Sequence, residues 1–398
     1  MRKWGILGAL LAVFVLSACE DGGHFLFPEE VSDYSFEEPG AVRYLVFFES
    51  EPMPLAMHEP ASGSFIGMYT DTHPALDGRI IAVHEAALGV RHCAFMEVME
   101  LGGAFPLLFV LECIAEQKMP VIVVLPPDGG LPPSVVWESL LTETARAFSD
   151  FPTPMFAKFL PLSADTRMNA AEYIAFFRYA RAIFAQHAPH VAFVWSVDAD
   201  FEGYMDFFPG ELAVDWVGLS LFLPGNGAAP DILERVLGFY HTFQREQPIM
   251  LNLALSHFST EDHRFHVSET AAALGQIYYA LRRDFPRVKM VNYMDVNRVA
   301  FNQRDYRISM DAALREAYRE SAAGFAPRGL GEGLVRQPIR SAYSAHVEDG
   351  RVYLDVRTLE ELGVRVRGRV QWVDGVRRVD AAEAGVGVVI RDGQVWVG

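Results

Sequence analysis

Three carboxylates that follow predicted strands are the residues in this sequence best suited to chemistry. Asp165, Asp198 and Asp295 each come directly after an apolar run. Two such side chains, one protonated and one ionised, can donate a proton and attack a carbon centre. These aspartates are therefore the candidate catalytic residues, provided that the fold brings them to one cleft.

Ring-bearing side chains on the same predicted strands are the candidate ligand contacts. A sugar ring could stack on the aromatic faces, and the imidazole adds a polar group. The candidate substrate-binding residues are Tyr69, Trp195, Trp216, His257 and Tyr293. Core filling is the alternative role for the aromatic residues, and polar loops at an ordinary barrel rim would show similar acids.

The sequence predicts neither a metal site nor a cofactor. His263 and His266 lie in a loop without a third ligand at a clear spacing. Cys93 and Cys113 are expected to be buried small hydrophobic residues, with a disulfide between them as the alternative. The formal net charge of −17 and the lack of a basic stripe argue against a nucleic-acid partner.

The elements that must position these residues alternate in the order of a parallel sheet built from βα units. Strands are predicted at 64–69, 92–98, 119–125, 155–165, 191–197, 214–222, 248–255 and 287–294, with a further strand, 43–49, leading into them. Asn169 is expected to cap the helix after the fourth strand. Eight strands and eight helices predict a (β/α)8 TIM barrel, whose reactive end lies where the strands end. A doubly wound open sheet is the alternative, although no glycine-rich phosphate motif follows the first strand.

The pattern of predicted secondary structure changes after residue 325. A linker is expected at 326–338, and short alternating strands separated by Asp-Gly turns follow over 339–398. The predicted fold class is therefore α/β, with a TIM barrel over 41–325 followed by a small mostly-β C-terminal domain.

Several segments of the predicted barrel resemble glycoside hydrolase family 26, which includes β-mannanases with a (β/α)8 fold. The likeness covers about 62–320, and its most specific part is an aromatic pair with Pro-Gly shortly before Asp215-Trp216-Val217-Gly218. The other segments that carry it are 67–69, 76–78, 105–106, 193–196 and 207–210. The resemblance implies a polysaccharide ligand.

The same resemblance implies that the catalytic carboxylates are missing. Family members use an acid/base Glu after the fourth strand and a nucleophile Glu on the seventh. Aligning Pro161 places Ala164 at the acid position, and aligning Pro248 places Leu253 at the nucleophile position. A shift of one residue would give Asp165 the acid's place, but no Asp or Glu occurs between residues 247 and 260.

Three hypotheses follow for the role of the barrel. The first is a catalytically degenerate glycosidase that binds a polysaccharide or scaffolds the cell envelope. The second is an active β-glycan hydrolase of mannan type with rearranged acids, using Asp165 with Asp198 or Asp295. The third is a structural surface protein whose cleft binds nothing.

The N-terminus resembles a bacterial lipoprotein signal. Arg2 and Lys3 precede an apolar run over 6–16, which is too short to span a bilayer, and Leu16-Ser17-Ala18-Cys19 resembles a lipobox. We expect a signal peptide over 1–19, lipidation of Cys19, an acidic spacer over 20–40 and extracytoplasmic anchoring to the cell membrane. An ordinary signal peptide is the alternative.

The C-terminal segment 341–362 resembles the small β domain named after the copper amine oxidase N-terminal region. In bacterial surface proteins that domain is an accessory module. This segment has no cluster of His or Cys, so the resemblance implies no copper here.

Overall fold

The computed structural model describes residues 44–70, 80–127, 130–163, 166, 168–225, 228–259, 263–299, 304–330, 334–366, 368–373 and 375–398. The predicted signal peptide with Cys19, the acidic spacer, the segment 76–78, Ala164 and Asp165 lie outside these residues. Within the described part of the chain, no helix combines the length and apolarity needed to cross a membrane.

Eight parallel strands close into a barrel. In chain order they are Phe65–Thr70, Ala94–Glu100, Met119–Leu125, Met155–Phe159, Val191–Asp198, Trp216–Pro224, Ile249–Ser256 and Val288–Asp295. We call them the first to the eighth barrel strand. The eighth strand pairs with the first, with Tyr293 opposite Met68. This closure confirms the predicted TIM barrel and excludes the open doubly wound sheet.

Helices surround the barrel. They are Ile81–Leu88, Leu107–Ala115, Trp137–Ser149, Ala170–His187, Ala228–Phe243, Val267–Asp284 and Ala312–Ala322. The Asn169 carboxamide oxygen caps the fourth of these helices, as predicted, by accepting from the amides of Ala171 at 3.0 Å and Glu172 at 3.2 Å.

The expectation of eight helices is wrong for the fifth unit. Between the fifth and sixth strands, a fully described stretch, the chain makes only the 3-10 turns Tyr204–Phe207 and Glu211–Ala213. Gly203 and Gly210 have φ values of 68° and 93°, which are left-handed backbone conformations, and Pro209 cannot donate a helix hydrogen bond. These residues break the chain into turns where a helix would otherwise form.

The barrel strands separate two hydrophobic cores. Met155, Ala157 and Phe159 of the fourth strand pack outward against the helices, whereas Phe156 points into the barrel. Lys158 has the same parity as Phe156 and therefore also points inward. Side chains at alternate positions of the other strands fill the inner core in the same way, as in other closed parallel barrels.

A second sheet of seven strands contains the C-terminal segment. Its strands, in spatial order, are Gln371–Val373, Val376–Asp380, Arg351–Asp355, Pro338–Glu348, Tyr44–Glu49, Gln394–Val397 and Val388–Arg391. A short helix, Val356–Glu361, packs on it. The remaining strands form small pairs, which are Met53–Pro54 with Leu334–Val335, Pro60–Ser62 with Arg328–Leu330, and Phe258–Ser259 with Arg264–Phe265.

The strand expected to lead into the barrel lies in this second sheet instead. Tyr44–Glu49 runs antiparallel to Pro338–Glu348 and parallel to Gln394–Val397. Its side chains explain the placement, because Val46 and Phe48 enter the core of this sheet and Phe47 stacks on Trp396 with ring centroids 5.2 Å apart. The first described strand thus ties the N-terminal part of the chain to its C-terminal part.

The second sheet covers the N-terminal end of the barrel, together with the segment that follows its strand Tyr44–Glu49. Glu59 forms a buried ion pair with Arg287, which directly precedes the eighth strand. The Trp216 indole donates to the Met57 carbonyl at 2.7 Å, and the Gln394 amide donates to the Arg283 carbonyl at 2.9 Å. These contacts close one end of the barrel, so any ligand must approach the opposite end, which we call the mouth.

Candidate functional site

Inward-facing polar side chains form a line across the barrel interior. The Lys158 ammonium donates to the Ser220 hydroxyl oxygen at 3.1 Å, and the Asn252 amide donates to the same oxygen at 3.3 Å. The Asn292 amide donates to the Asn252 carbonyl oxygen at 3.1 Å. The line therefore connects the fourth, sixth, seventh and eighth strands.

Glycine on the first strand makes room for this line. A Cβ atom at Gly67 would lie 1.9 Å from the Asn292 carboxamide oxygen. Only a residue without a side chain fits there, so Gly67 belongs to the packing of the barrel interior.

Lys158 is the unusual member of the line because it is a buried cation. It is 5% exposed, and among the described residues it donates a hydrogen bond to the neutral Ser220 hydroxyl. Burial lowers the pKa of Lys158 to about 8, although the negative charge of Asp198 acts in the opposite direction. A fraction of the side chain is therefore a neutral amine near neutral pH.

A small cavity lies between this line and the mouth. Its volume is about 50 Å³. A cavity of this size can hold a few water molecules. It is lined by Tyr69, Met96, Val98, Val123, Leu125, Lys158, Ser220, Phe222, Asn252, Met294, Val296 and Arg298.

No carboxylate is among the side chains that line this cavity in the described part of the chain. Asp198 ends the fifth strand, is half-buried and acts on Lys158 through its charge. It is the one candidate acid that the structure places in the electrostatic environment of the inner polar line. Asp165 lies outside the described residues.

Asp295 has a structural environment that differs from the one expected. It is 2% exposed, and its carboxylate accepts from the Ser309 amide at 3.1 Å. The other oxygen lies 3.5 Å from the His84 Nε2 atom, and the His84 Nδ1 atom lies 3.3 Å from the Thr70 hydroxyl. Burial raises the pKa of Asp295 to about 6, and the Ser309 hydrogen bonds only partly offset that rise. The carboxylate thus joins the ends of the first and eighth strands to a helix.

Leu253 is not a mouth residue. Its side chain, 1% exposed, packs in the outer core against the helices. Asn252 and Ala254 are its inward-facing neighbours on the seventh strand, because neighbouring side chains alternate between the two faces. The alignment therefore places the lost nucleophile one position away from the residues that face inward, and neither of those is an acid. Ala164 lies outside the described residues.

Trp195 and Tyr293 lie on the outer face of the barrel. Trp195 is fully buried against Phe208 and Phe243, with ring centroids 5.1 and 5.8 Å away. The fully buried Tyr293 donates from its hydroxyl to the Tyr306 carbonyl at 3.0 Å. Neither ring has a face open to a sugar, and both fill the core.

Three other candidate ligand contacts are also buried. Trp216 lies deep in the barrel, edge-on to Phe156 at 5.3 Å, and is fully buried. Tyr69 is 1% exposed and lines the cavity, so it is the one predicted aromatic residue at that site. His257 is 4% exposed and stacks on Phe265, and burial lowers its pKa.

The motif that most specifically carries the family resemblance has a structural role. The Asp215 carboxylate accepts from the Phe193 amide at 2.7 Å and from Arg181 at 3.2 Å. It therefore fixes the start of the sixth strand to the fifth strand and its preceding helix. Gly218 lets the barrel close tightly, since a Cβ there would lie 2.7 Å from the Ser196 Cβ.

Cys93 and Cys113 belong neither to the inner polar line nor to the cavity lining. Cys93 and Cys113 are both free, with Cys113 fully buried and Cys93 half-buried. In the described segments, no group of three or more His, Cys, Asp or Glu side chains is arranged to hold a metal ion.

Lys158 is the functional candidate that sequence reasoning missed. A single lysine in the apolar run Met155–Phe159 gives a usable signal, because a charged side chain inside a barrel strand must find a polar environment. The sequence alone does not show that Lys158 faces the barrel interior, because that depends on which face of the strand points inward.

Solved structures of similar shape include mannanases, at low similarity. The protein GH26C from Muricauda sp. is 12% identical, with a TM-score of 0.48 over 66% of this chain and 86% of that chain. A Cellulomonas fimi endo-β-1,4-mannanase double mutant is 12% identical, with a TM-score of 0.47 over 85% and 88%. The Bacillus subtilis mannanase man26 is 12% identical, with a TM-score of 0.43 over 67% and 86%. No protein-family model and no curated protein matches this chain. These values are too low to support an inference about activity.

Proposed function

We propose that this chain is a cell-surface lipoprotein whose glycoside hydrolase family 26-like barrel binds polysaccharide without hydrolysing it. One observation carries the proposal. The fourth and seventh barrel strands, Met155–Phe159 and Ile249–Ser256, present no carboxylate to the barrel interior, and their inward-facing polar side chains include Lys158 and Asn252.

This arrangement does not support glycoside hydrolysis by two carboxylates. Retaining enzymes need the two carboxyl groups about 5 to 5.5 Å apart, and inverting enzymes about 6.5 to 9.5 Å apart. Asp295 is buried against Ser309 and His84, so it is not available to pair with Asp198. Asp198 beside Lys158 supplies neither the retaining nor the inverting pair.

A polysaccharide would lie across the mouth rather than inside the barrel. The residues around the cavity at the strand ends are half-buried and can touch a ligand from above. These rim residues include Val98, Asp198, Phe222 and Met294. They combine apolar faces with a carboxylate, a composition suited to the apolar faces and hydroxyls of sugars.

Membrane attachment completes the proposal. Lipidation at Cys19 would tether the barrel outside the cell membrane through the acidic spacer, and the second sheet would act as an accessory module. That sheet contacts the barrel through Gln394 and Arg340 at the closed end, which is opposite the mouth. Cys19→Ser should release the protein from the membrane fraction, and retention of this variant there would contradict the anchor.

Affinity gel electrophoresis with the full chain tests glycan binding. Native gels that contain β-mannan, other β-glycans or acidic polysaccharides should retard the protein in at least one case. Phe222→Ala at the mouth should reduce the retardation, whereas Trp372→Ala on the second sheet, at a residue 73% exposed, should not. Loss of retardation in the Trp372 variant alone would assign binding to the second sheet and contradict the proposal.

A further inference from the structure

Lysine is rare in this chain, and each described lysine is buried. The sequence has four lysines against 30 arginines. Lys118, Lys158 and Lys289 are 4%, 5% and 2% exposed. Arginine thus supplies the described exposed cations other than histidine, and lysine occurs where an amine is surrounded by protein.

Two of these lysines lie away from the cavity. The Lys118 ammonium donates to the Glu85 carboxylate at 2.7 Å and to the His92 carbonyl at 2.9 Å. Lys289 lies at the closed end of the barrel, near the Glu59–Arg287 ion pair. Lys158 differs from both, because it alone of the three lines the cavity at the mouth.

The surroundings of Lys158 are those of a reactive amine. The cavity around it is lined largely by apolar side chains, including Met96, Val123, Leu125 and Met294. A desolvated lysine in an apolar pocket is a nucleophile towards carbonyl carbons, because the ammonium form is disfavoured. Its pKa of about 8 leaves roughly a tenth of the side chain as free amine at pH 7.

We propose that Lys158 is a carbonyl-reactive amine that forms an imine with a small aldehyde or ketone in the mouth cavity. The neutral Nζ atom attacks the carbonyl carbon, and the carbonyl oxygen takes up a proton to give a carbinolamine. The C–O bond then breaks and the oxygen leaves as water, with the hydrogens lost from nitrogen balancing those gained by oxygen. The product is a C=N bond between Lys158 and the ligand, and no oxidant or reductant is consumed.

Ser220 and Asn252 are positioned to bind the carbonyl oxygen. The Ser220 hydroxyl oxygen accepts hydrogen bonds from Lys158 and Asn252, which leaves its own proton to donate. A donor beside the amine would polarise a carbonyl group and stabilise the carbinolamine oxygen. The cavity of about 50 Å³ restricts the ligand to a short, uncharged carbon chain. This activity does not depend on glycan binding at the rim.

Reductive trapping on the full chain tests the proposal. The protein is incubated with glycolaldehyde and cyanoborohydride at neutral pH, and the modified lysines are located by peptide mass spectrometry. Lys158 should be modified about tenfold faster than Lys289, whose pKa burial likewise lowers to about 8 but which does not line the cavity. Because the two lysines have similar pKa values, faster labelling of Lys158 would reflect its access to the cavity and not its pKa.

The pH dependence of labelling supplies a second readout. The titratable and charged groups around the amine are Tyr69, Asp198 and Arg298. With its pKa near 8, Lys158 should react roughly fivefold faster at pH 8 than at pH 7, as its free-amine fraction rises. Lys158→Arg should remove the adduct. If that variant does not fold, the ratio of Lys158 labelling to Lys289 labelling in the parent protein still tests the proposal. Equal labelling of the three buried lysines, or none at Lys158 in folded protein, would overturn the proposal.

Discussion

The Lys158 ammonium nitrogen lies 3.1 Å from the Ser220 hydroxyl oxygen inside the closed barrel. This pair joins the fourth strand to the sixth across the barrel interior. The hydrogen bond satisfies only one of the three ammonium protons. The barrel therefore holds a cation whose desolvation is only partly compensated, and this has consequences for stability and pH dependence.

Lys158→Met should stabilise the protein at pH 7. The pKa of Lys158 falls from 10.5 in the unfolded chain to about 8 in the fold, a difference of about 3 kcal/mol in the free energy of unfolding. Because the folded pKa is lowered, the destabilisation is fully present below pH 8 and fades as pH rises from about 8 to 10.5. Urea unfolding at pH 7 and pH 10 should show the larger gain at pH 7, and a less stable variant at pH 7 would contradict this.

Asp295→Asn should remove a second pH dependence. The folded pKa of Asp295 is raised from 3.8 to about 6, so the folded state holds this proton more tightly than the unfolded state. The resulting stability is present below about pH 4 and is lost as pH rises through about 6, by about 3 kcal/mol. The Asn variant should lack this loss and be more stable than the parent at pH 7. Parallel stability curves for both proteins between pH 4 and 7 would contradict the assignment.

Gly67→Ala should destabilise the barrel by about 1 to 3 kcal/mol, because its methyl group would meet the Asn292 carboxamide at 1.9 Å. Gly275→Ala is the matched control. Gly275 lies in the helix Val267–Asp284, and nothing stands within 4 Å of its Cβ position, so this change should stabilise by up to about 1 kcal/mol. Adding Asn292→Ala to the Gly67 variant should recover part of the lost stability. If thermal unfolding shows that the effects of the two substitutions simply add, the predicted contact between residues 67 and 292 would be contradicted.

Asp215→Ala should lower stability by about 1 to 3 kcal/mol, because it leaves the Phe193 amide and Arg181 without their acceptor. Glu211→Ala, at an exposed position of a neighbouring turn, should change stability by less than about 0.5 kcal/mol. Glycan retardation by the folded Asp215 variant should match that of the parent protein. Loss of retardation with unchanged thermal stability would instead assign this aspartate to ligand contact.

The fold was predictable from sequence because its strands are apolar runs separated by helical patterns. The fourth strand, with Asn169 capping the helix that follows, illustrates this. The placement of Tyr44–Glu49 was not predictable, since its partners lie at the other end of the chain. A strand's apolar pattern shows that it is buried but not which sheet buries it.

The candidate site was less predictable than the fold, for reasons of strand parity. Trp195 and Tyr293 are on barrel strands, but their positions face the helices, and Leu253 faces the same way. Asp295 ends its strand beside a helix rather than over the cavity. Lys158 was overlooked because its neighbours are apolar, although its alternation with Phe156 places it inside.

The central claim is that the barrel binds polysaccharide without cleaving it, and one assay on the full chain tests both halves. The glycan that most retards the protein in a native gel is incubated with it, and new reducing ends are measured over time. We expect clear retardation and no reducing ends above those formed with protein carrying Asp198→Asn. Reducing ends that accumulate with the parent protein and disappear in the Asp198 variant would contradict the account and establish a hydrolase with rearranged acids.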